Sequence, residues 1–456
     1  MSQATDVAIA AAKLAILDES LQIIQSKQIT LTLDGTVHKM KFNTKVTGPR
    51  PPSGYKCYIG LHGGGGCPTE LNDSQWENHS NLYEMPPGTI WLTPRASTDN
   101  WNLWHEPHID HLLQGLIRAY IATGELDPQC IYLTGYSAGG DGAWKLGPRM
   151  GDIFAAVMPC AGHPNGAEMD NLRNTFISIH CGGKDDAYNR NKVTQEYIDK
   201  MRQFQELNLN NNFIGDVVPY PNEGFIYKQH SHWMEHSEQT SFTNLSRHHK
   251  GPRSSIVFKQ CHDVLKSKFE WISLHQDSVH HGTKIIGRLI PDGKDDLLCQ
   301  LETWGDIKGL DLCFNDTYQQ GRKRLVIEWT QRSDTDHNGS GKPNMALDND
   351  PLAPVLVGHN FHTYPIPLMN ATSIEPMNST TSSNPIAMAD KMINNKPNQS
   401  LQPSESPTLR LVCDFPPEID QNLLKMTAFE TLDPYRTFSH KVSVRFQPTL
   451  MIGDQP

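Results

Sequence analysis

The 456-residue chain has no run of about 18 apolar residues anywhere, so nothing in it reads as a membrane span. It has no excess of basic charge either. Lys and Arg number 40 against 50 Asp and Glu, a formal net charge of -10, which gives binding to nucleic acid no electrostatic support. Its nine cysteines form no CxxC pair and are odd in number, which argues against a disulfide framework and against a thiolate zinc site. The N-terminus lacks a basic segment before its only apolar stretch, Val7 to Leu17, which Lys13 interrupts. Reduced thiols and a cytoplasmic location are therefore expected, with no cofactor and no metal. Hydrophobic residues make up 37% and charged residues 20% of the chain, enough apolar material for a sizeable core.

What is present falls into two patterns. Residues 4 to 25 read as an amphipathic helix, and Ile29 to Leu33, turned by Asp34-Gly35 into Val37 to Phe42, reads as a hairpin. We take 1–50 as a unit packed on the core. From 51 to about 276, strands alternate with helices: Tyr55 to Leu61, Thr89 to Thr93, Cys130 to Thr134, Phe154 to Met158, Thr175 to His180 and Asp216 to Tyr220 are strand-like. Ile109, Leu112, Leu113, Leu116, Ile117, Tyr120 and Ile121 keep helical spacing, and a second helix is expected from Asn191 to about Leu207. This alternation predicts a doubly wound, mainly parallel α/β sheet. Past residue 277 short strand-like segments follow without helices, and 332–407 is rich in Asn, Ser, Pro and Thr. A smaller β-rich C-terminal domain, 277–456, with a flexible insertion at about 332–407 is the expectation.

Two glycine motifs stand at strand ends. Gly135-Tyr136-Ser137-Ala138-Gly139 fits G-x-S-x-G between a strand and a helix, the setting of a nucleophile elbow, with Ser137 as nucleophile. His62-Gly63-Gly64-Gly65-Gly66 follows the first core strand and suits an oxyanion hole built from backbone N–H groups. Its donors would be Gly64 or Gly65, together with Ala138 after the nucleophile. No Lys-Ser/Thr follows the glycines, so a phosphate-cradling loop is disfavoured. A triad acid belongs in the loop after Thr175 to His180, where Asp185 is preferred to Asp186. The base must come later, and of His230, His232 and His236 the choice is His232, in His232-Trp233-Met234. The order Ser, Asp, His is that of α/β-hydrolases. His105, Glu106, His108 and His111 match no full zinc signature and are expected to serve a pocket or the surface. Trp101, Trp104 and Tyr136 are candidates for the substrate pocket, and Asp141 for a structural role beside the elbow.

Residues 55–275 resemble predicted esterases of bacterial type in the α/β-hydrolase superfamily, akin to polyhydroxybutyrate-depolymerase-like and feruloyl-esterase-like enzymes. The likeness rests on Trp101-Asn102-Leu103-Trp104, Gly135 to Gly142, Pro148-Arg149-Met150 and Ala161-Gly162-His163-Pro164-Asn165, together with Gly182 to Asn189 and His232-Trp233-Met234. The last two segments match the places where such enzymes carry acid and base. Before His232 the chain reads Gln229-His230-Ser231 where relatives tend to have glycine. The resemblance implies a small-molecule ester substrate and an acyl-enzyme route. A prolyl-oligopeptidase-type peptidase and a non-catalytic binding protein on the same scaffold are the rival readings.

Overall fold

In the computed structural model the described residues are 3–210, 222–227, 230, 242, 245–251, 253–260, 264–314, 321–332, 373–375, 408–414 and 440–445. A helix, α1 (Gln3–Ser26), leads into the hairpin β1 (Gln28–Leu33) and β2 (Thr36–Thr47), turned at Asp34 and Gly35. The alternating unit follows as β3 (Tyr55–Leu61), α2 (Thr69–Asn81), β4 (Thr89–Pro94), α3 (Pro107–Ala122), β5 (Leu126–Tyr136), α4 (Ala138–Arg149), β6 (Ala156–Cys160), β7 (Phe176–Gly182), α5 (Arg190–Asn210) and β8 (Asn222–Tyr227). These eight strands form one sheet in the order β1-β2-β4-β3-β5-β6-β7-β8. The hairpin pairs antiparallel, and β2 joins β4 antiparallel; every pairing from β4 to β8 is parallel. β3 to β7 are buried along nearly their whole length, as a parallel sheet covered on both faces requires. On one face Leu112, Leu113 and Leu116 of α3 and Leu146 of α4 pack with Ile59, Leu92 and Leu133 of the sheet.

Chain order reverses around β3, which lies between β4 and β5. In open α/β sheets such a reversal opens a crevice at the carboxyl ends of the strands. The register pairs Leu61, the last residue of β3, with Gly135 near the end of β5. Two glycine motifs far apart in sequence thereby emerge side by side.

Two further sheets follow. Their strands are β9 (Ser255–Lys259), β10 (Lys268–Phe269), β11 (Ile272–Leu274), β12 (Lys284–Asp292), β13 (Asp296–Trp304), β14 (Gly309–Phe314), β15 (Arg324–Gln331), β16 (Ser373–Glu375), β17 (Thr408–Asp414) and β18 (His440–Arg445). One sheet runs β16-β17-β15-β13-β12-β9 and the other β10-β11-β14-β18. Their inner residues, among them Ile256, Trp271, Leu301, Leu312 and Trp329, share one core, so the two sheets form a sandwich. β12 and β13 alternate buried and half-buried residues, as strands with one covered face do.

Two boundaries differ from expectation, and a third call lies mostly outside the described residues. β9, β10 and β11 belong to the sandwich, so β structure begins at Ser255, ahead of the expected division at 276/277. The last strand of the parallel sheet lies at Asn222–Tyr227, while the stretch expected to form it, 216–220, lies outside the described residues. Of the expected flexible insertion only Arg332 and 373–375 are described. α2 was not foreseen: TELNDSQWENHSN is polar and lacks an apolar period. Among the described residues no helix is long and apolar enough to cross a membrane.

Candidate active site

Ser137 sits at the tip of the turn from β5 into α4 with φ 59 and ψ −120, a conformation that costs a non-glycine residue about 1–3 kcal/mol. The turn is pinned from both sides. Ser137 N–H donates to Cys160 O at 3.0 Å, and Ser137 O accepts from Asp141 N–H at 3.0 Å. Neighbouring glycines are obligatory, because a Cβ on Gly135 would lie 2.0 Å from Gly139 O and one on Gly139 would lie 1.9 Å from Leu61 O. The strain is held by the sheet itself.

Across the crevice the glycine loop is clamped by His62 and Asn72. His62 Nδ1 donates to Gly63 O at 2.7 Å and Nε2 accepts from Ala96 N–H at 3.1 Å, a pattern that requires the neutral ring. Burial pushes its pKa down to about 4, which keeps it neutral. Asn72 Oδ1 accepts from Gly65 N–H at 2.9 Å, and Asn72 Nδ2 donates to Asp99 Oδ1 at 2.9 Å. Asp99 in turn is held by Arg95 and by Thr69 Oγ1 at 2.6 Å. Gly64 has φ +109, and a Cβ there would come within 2.3 Å of Asn72 Oδ1. This network corrects one expectation. Gly65 cannot be an oxyanion donor while its N–H is committed to Asn72. Gly64 N–H and Ala138 N–H have no partner among the described residues.

Asp185 follows β7, and its carboxylate is buried with 3% of its surface exposed. Oδ1 accepts from Arg190 Nη1 at 2.7 Å and Oδ2 from His230 Nδ1 at 2.5 Å. Burial alone would raise its pKa, but the His230 hydrogen bond and the Arg190 charge outweigh that and hold it below the usual carboxylate range. Asp186, the alternative acid, is exposed. His230 Nε2 stands 3.2 Å from Ser137 Oγ. The His230 ring lies 5.1 Å from that of Tyr136.

The ring between acid and serine is thus that of His230, not His232 as expected; His232 itself lies outside the described residues. The reason is reach. β8 ends at Tyr227, so the third residue beyond it falls at the same edge of the sheet as Asp185, three residues beyond the end of β7. Ser137, Asp185 and His230 each follow the carboxyl end of a parallel strand. The domain has the α/β-hydrolase fold.

No protein-family model matches the chain, and no curated protein matches it. Among solved structures, a thermostable esterase is 15% identical with a TM-score of 0.37, covering 49% of this chain and 63% of its own, less than two thirds of its length. S-formylglutathione hydrolase (FrmB) from Staphylococcus aureus is 14% identical with a TM-score of 0.30, covering 48% and 95%. A ferulic acid esterase is 16% identical with a TM-score of 0.32, covering 48% and 96%.

Beside Ala138 opens a cleft of about 240 Å³, lined by Trp101, Leu103, Trp104, His105, Asp141 and Lys145 among others. Of the expected pocket residues, Trp101 borders it with 64% of its surface exposed, against the ring of Tyr188 at 6.0 Å. Trp104 is buried, and its indole N–H donates to His62 O at 3.0 Å. Tyr136 packs on His230 and is not among the cleft-lining residues. The histidine-rich segment is divided between roles. His105 reaches the cleft, and His108 Nε2 is 2.6 Å from Ser97 Oγ. Asp110 is paired with Arg149. Asp141 accepts from His163 N–H at 2.7 Å, as its expected structural role requires.

Asn72 and Arg190 escaped the sequence reading. Asn72 lies on the unforeseen helix α2, and no local pattern marks a side chain that caps a loop seven residues away. Arg190 stands five residues after Asp185, directly after the segment Gly182 to Asn189, a spacing that could have flagged it.

Proposed function

We propose that this chain is a serine hydrolase that cleaves carboxylic esters through an acyl-enzyme. The observation that carries the reading is the single line of contacts from Asp185 Oδ2 through both nitrogens of His230 to Ser137 Oγ, at 2.5 and 3.2 Å. With Nδ1–H donated to the carboxylate, Nε2 presents a lone pair to the serine hydroxyl. Ser137 Oγ attacks the ester carbonyl while Nε2 takes its proton. The oxyanion is received by the N–H groups of Ala138 and Gly64, the two donors flanking the crevice that have no partner among the described residues. Collapse expels the alcohol, which takes the proton back from His230. Water, deprotonated by the same ring, then attacks the acyl-enzyme and releases the acid. Asp185 holds the ring in its productive tautomer and stabilises the imidazolium.

The test is labelling with a fluorophosphonate, followed by turnover of short-chain acyl esters and matched peptide anilides. Serine-dependent labelling and ester turnover, both absent in Ser137→Ala, are expected. Efficient anilide cleavage with negligible ester turnover would favour a peptidase. Absence of labelling in the folded protein would favour a binding role.

A further inference from the structure

Arg190 is an unusual residue to find where it is. It opens α5, so its positive charge sits at the helix end that favours negative charge. It is buried, its Nε lies in the interior without a partner among the described residues, and its one ion pair is with Asp185. Breaking water contacts around a guanidinium and leaving one N–H unmet gives local stability little reason to retain it. The Tyr188 ring lies 5.6 Å from its guanidinium carbon.

The carboxylate it holds is the one that orients His230. Arg190 Nη1 takes Oδ1, which fixes the plane of the carboxylate and leaves Oδ2 for the His230 N–H. We propose that Arg190 is a positioning residue of the triad, which locks the Asp185 carboxylate in place and draws off part of the charge that carboxylate offers to His230. This rests on the ester-hydrolase reading above. The physical reason is that a carboxylate shared with a guanidinium offers less charge to stabilise the imidazolium, and the guanidinium itself repels it.

Among the described residues, the other groups facing the pair leave that role to Arg190. From β5, Tyr136 has its pKa pushed up to about 12, first by burial and then by the Asp185 charge, so it stays a neutral phenol. From β7, the Cys181 thiol is pushed up to about 11, chiefly by burial, and is also uncharged. From α4, Asp141 interacts with the Arg190 charge, and its carboxyl is raised by burial. Lys184 and Asp186 flank Asp185 in the chain, carry opposite charges and are exposed to solvent. Among the described residues, Arg190 is the cation hydrogen-bonded to the Asp185 carboxylate.

The experiment compares the pH dependence of kcat/KM on a short-chain ester for the wild type, Arg190→Gln and Arg190→Lys, with fluorophosphonate labelling of Ser137 run in parallel. Gln keeps an N–H for Oδ1 and drops the charge; Lys keeps the charge. The expected result for Arg190→Gln is an acid limb moved to higher pH by about 0.5–1 unit, at the low end of what a nearby charge does to a pKa. Arg190→Lys should keep the limb within about 0.2 unit of wild type, whatever its loss in rate. An unmoved limb in Arg190→Gln, with only a lower rate, would overturn the proposal and leave Arg190 a structural residue. Should Arg190→Gln fail to fold, Arg190→Lys decides, and a limb displaced there by about 0.5 unit or more refutes it. Wild-type protein that neither labels nor turns over ester refutes the underlying reading instead, a result separate from the behaviour of the variants.

Discussion

The two sides of the candidate site are held by different physics. At the ends of β3 and β5, Ser137 is fixed by backbone: strand register, hydrogen bonds from Ser137 N–H and to Ser137 O, and glycines with no room for a Cβ. Beyond β7 and β8, Asp185 and His230 are fixed by side chains, through an ion pair and a hydrogen bond. Backbone geometry of the first kind is indifferent to pH and salt. A carboxylate clamped between a guanidinium and an imidazole is not. The Ser137 side is set when the sheet forms, and the Asp185–His230 side is adjustable afterwards.

The sharpest way to break this contrast is to remove one group from each side. Ser137→Ala should abolish labelling and cut ester kcat by about 10⁴-fold or more. His230→Ala should lower it by about 10³–10⁴-fold, whereas His232→Ala should stay within about threefold of wild type. Steady-state kinetics with one short-chain ester decides both, and a large loss in His232→Ala with little in His230→Ala would reverse the assignment of the base. Gly139→Ala should do its damage differently. A Cβ 1.9 Å from Leu61 O forces the elbow off the sheet, so the expected loss is of folded protein, read as a lower melting temperature.

A smaller effect is expected from Asn72→Ala. It frees Gly65 N–H and unpins the loop without touching the triad, so kcat should fall about 10- to 100-fold with labelling slowed but retained. The smallest effect concerns pH and stability. His62, His79 and His180 are buried, and desolvation lowers their pKa values to about 4, 3 and 3. Between the unfolded value of about 6.5 and those folded values the unfolded chain binds more protons, so stability falls as pH drops through that window. Thermal melts should therefore decline from pH 7 to pH 4. Replacing His62 by Asn should flatten part of that decline, and an equally steep decline in that variant would remove His62 from the account.

Much of this was legible because it is encoded locally. β3, β4 and β5 announce themselves as apolar runs, β3 and β5 ending in glycine motifs, and the α3 stripe from Ile109 to Ile121 keeps its period. Ser137 follows from its motif, and chain order places the acid at Asp185 or Asp186, of which Asp185 is preferred. His230 did not follow, because three histidines lie within seven residues and only the length of β8 decides which one faces Asp185. The tripeptide Gln229-His230-Ser231, read as a departure from the resembling esterases, contains the residue in question. α2 was hidden because its helix is polar, and with it the Asn72 clamp. The Gly65 alternative could only be set aside by seeing where its N–H goes.

The early start of the sandwich has a consequence for how the chain can be divided. β9 pairs with β12 along five residues, and β11 pairs with β14. A chain cut at residue 276 would keep β9, β10 and β11 and discard β12 and β14, the partners of β9 and β11, leaving open edges that seek other strands. A cut ahead of Ser255 respects the sheets but severs other ties. Asn174 Nδ2 donates to Ser255 O at 2.6 Å, and Asn171 is bonded to the backbone of Lys259 through both ends of its amide, at 2.9 and 2.7 Å. Arg253 donates to Gly151 O at 2.9 Å and Phe154 O at 3.3 Å while paired with Glu270. The hydrolase-fold layer and the sandwich are therefore not beads on a string: the asparagines satisfy backbone groups on the far side and Arg253 pairs with Glu270 there, and separating the two would strand those groups.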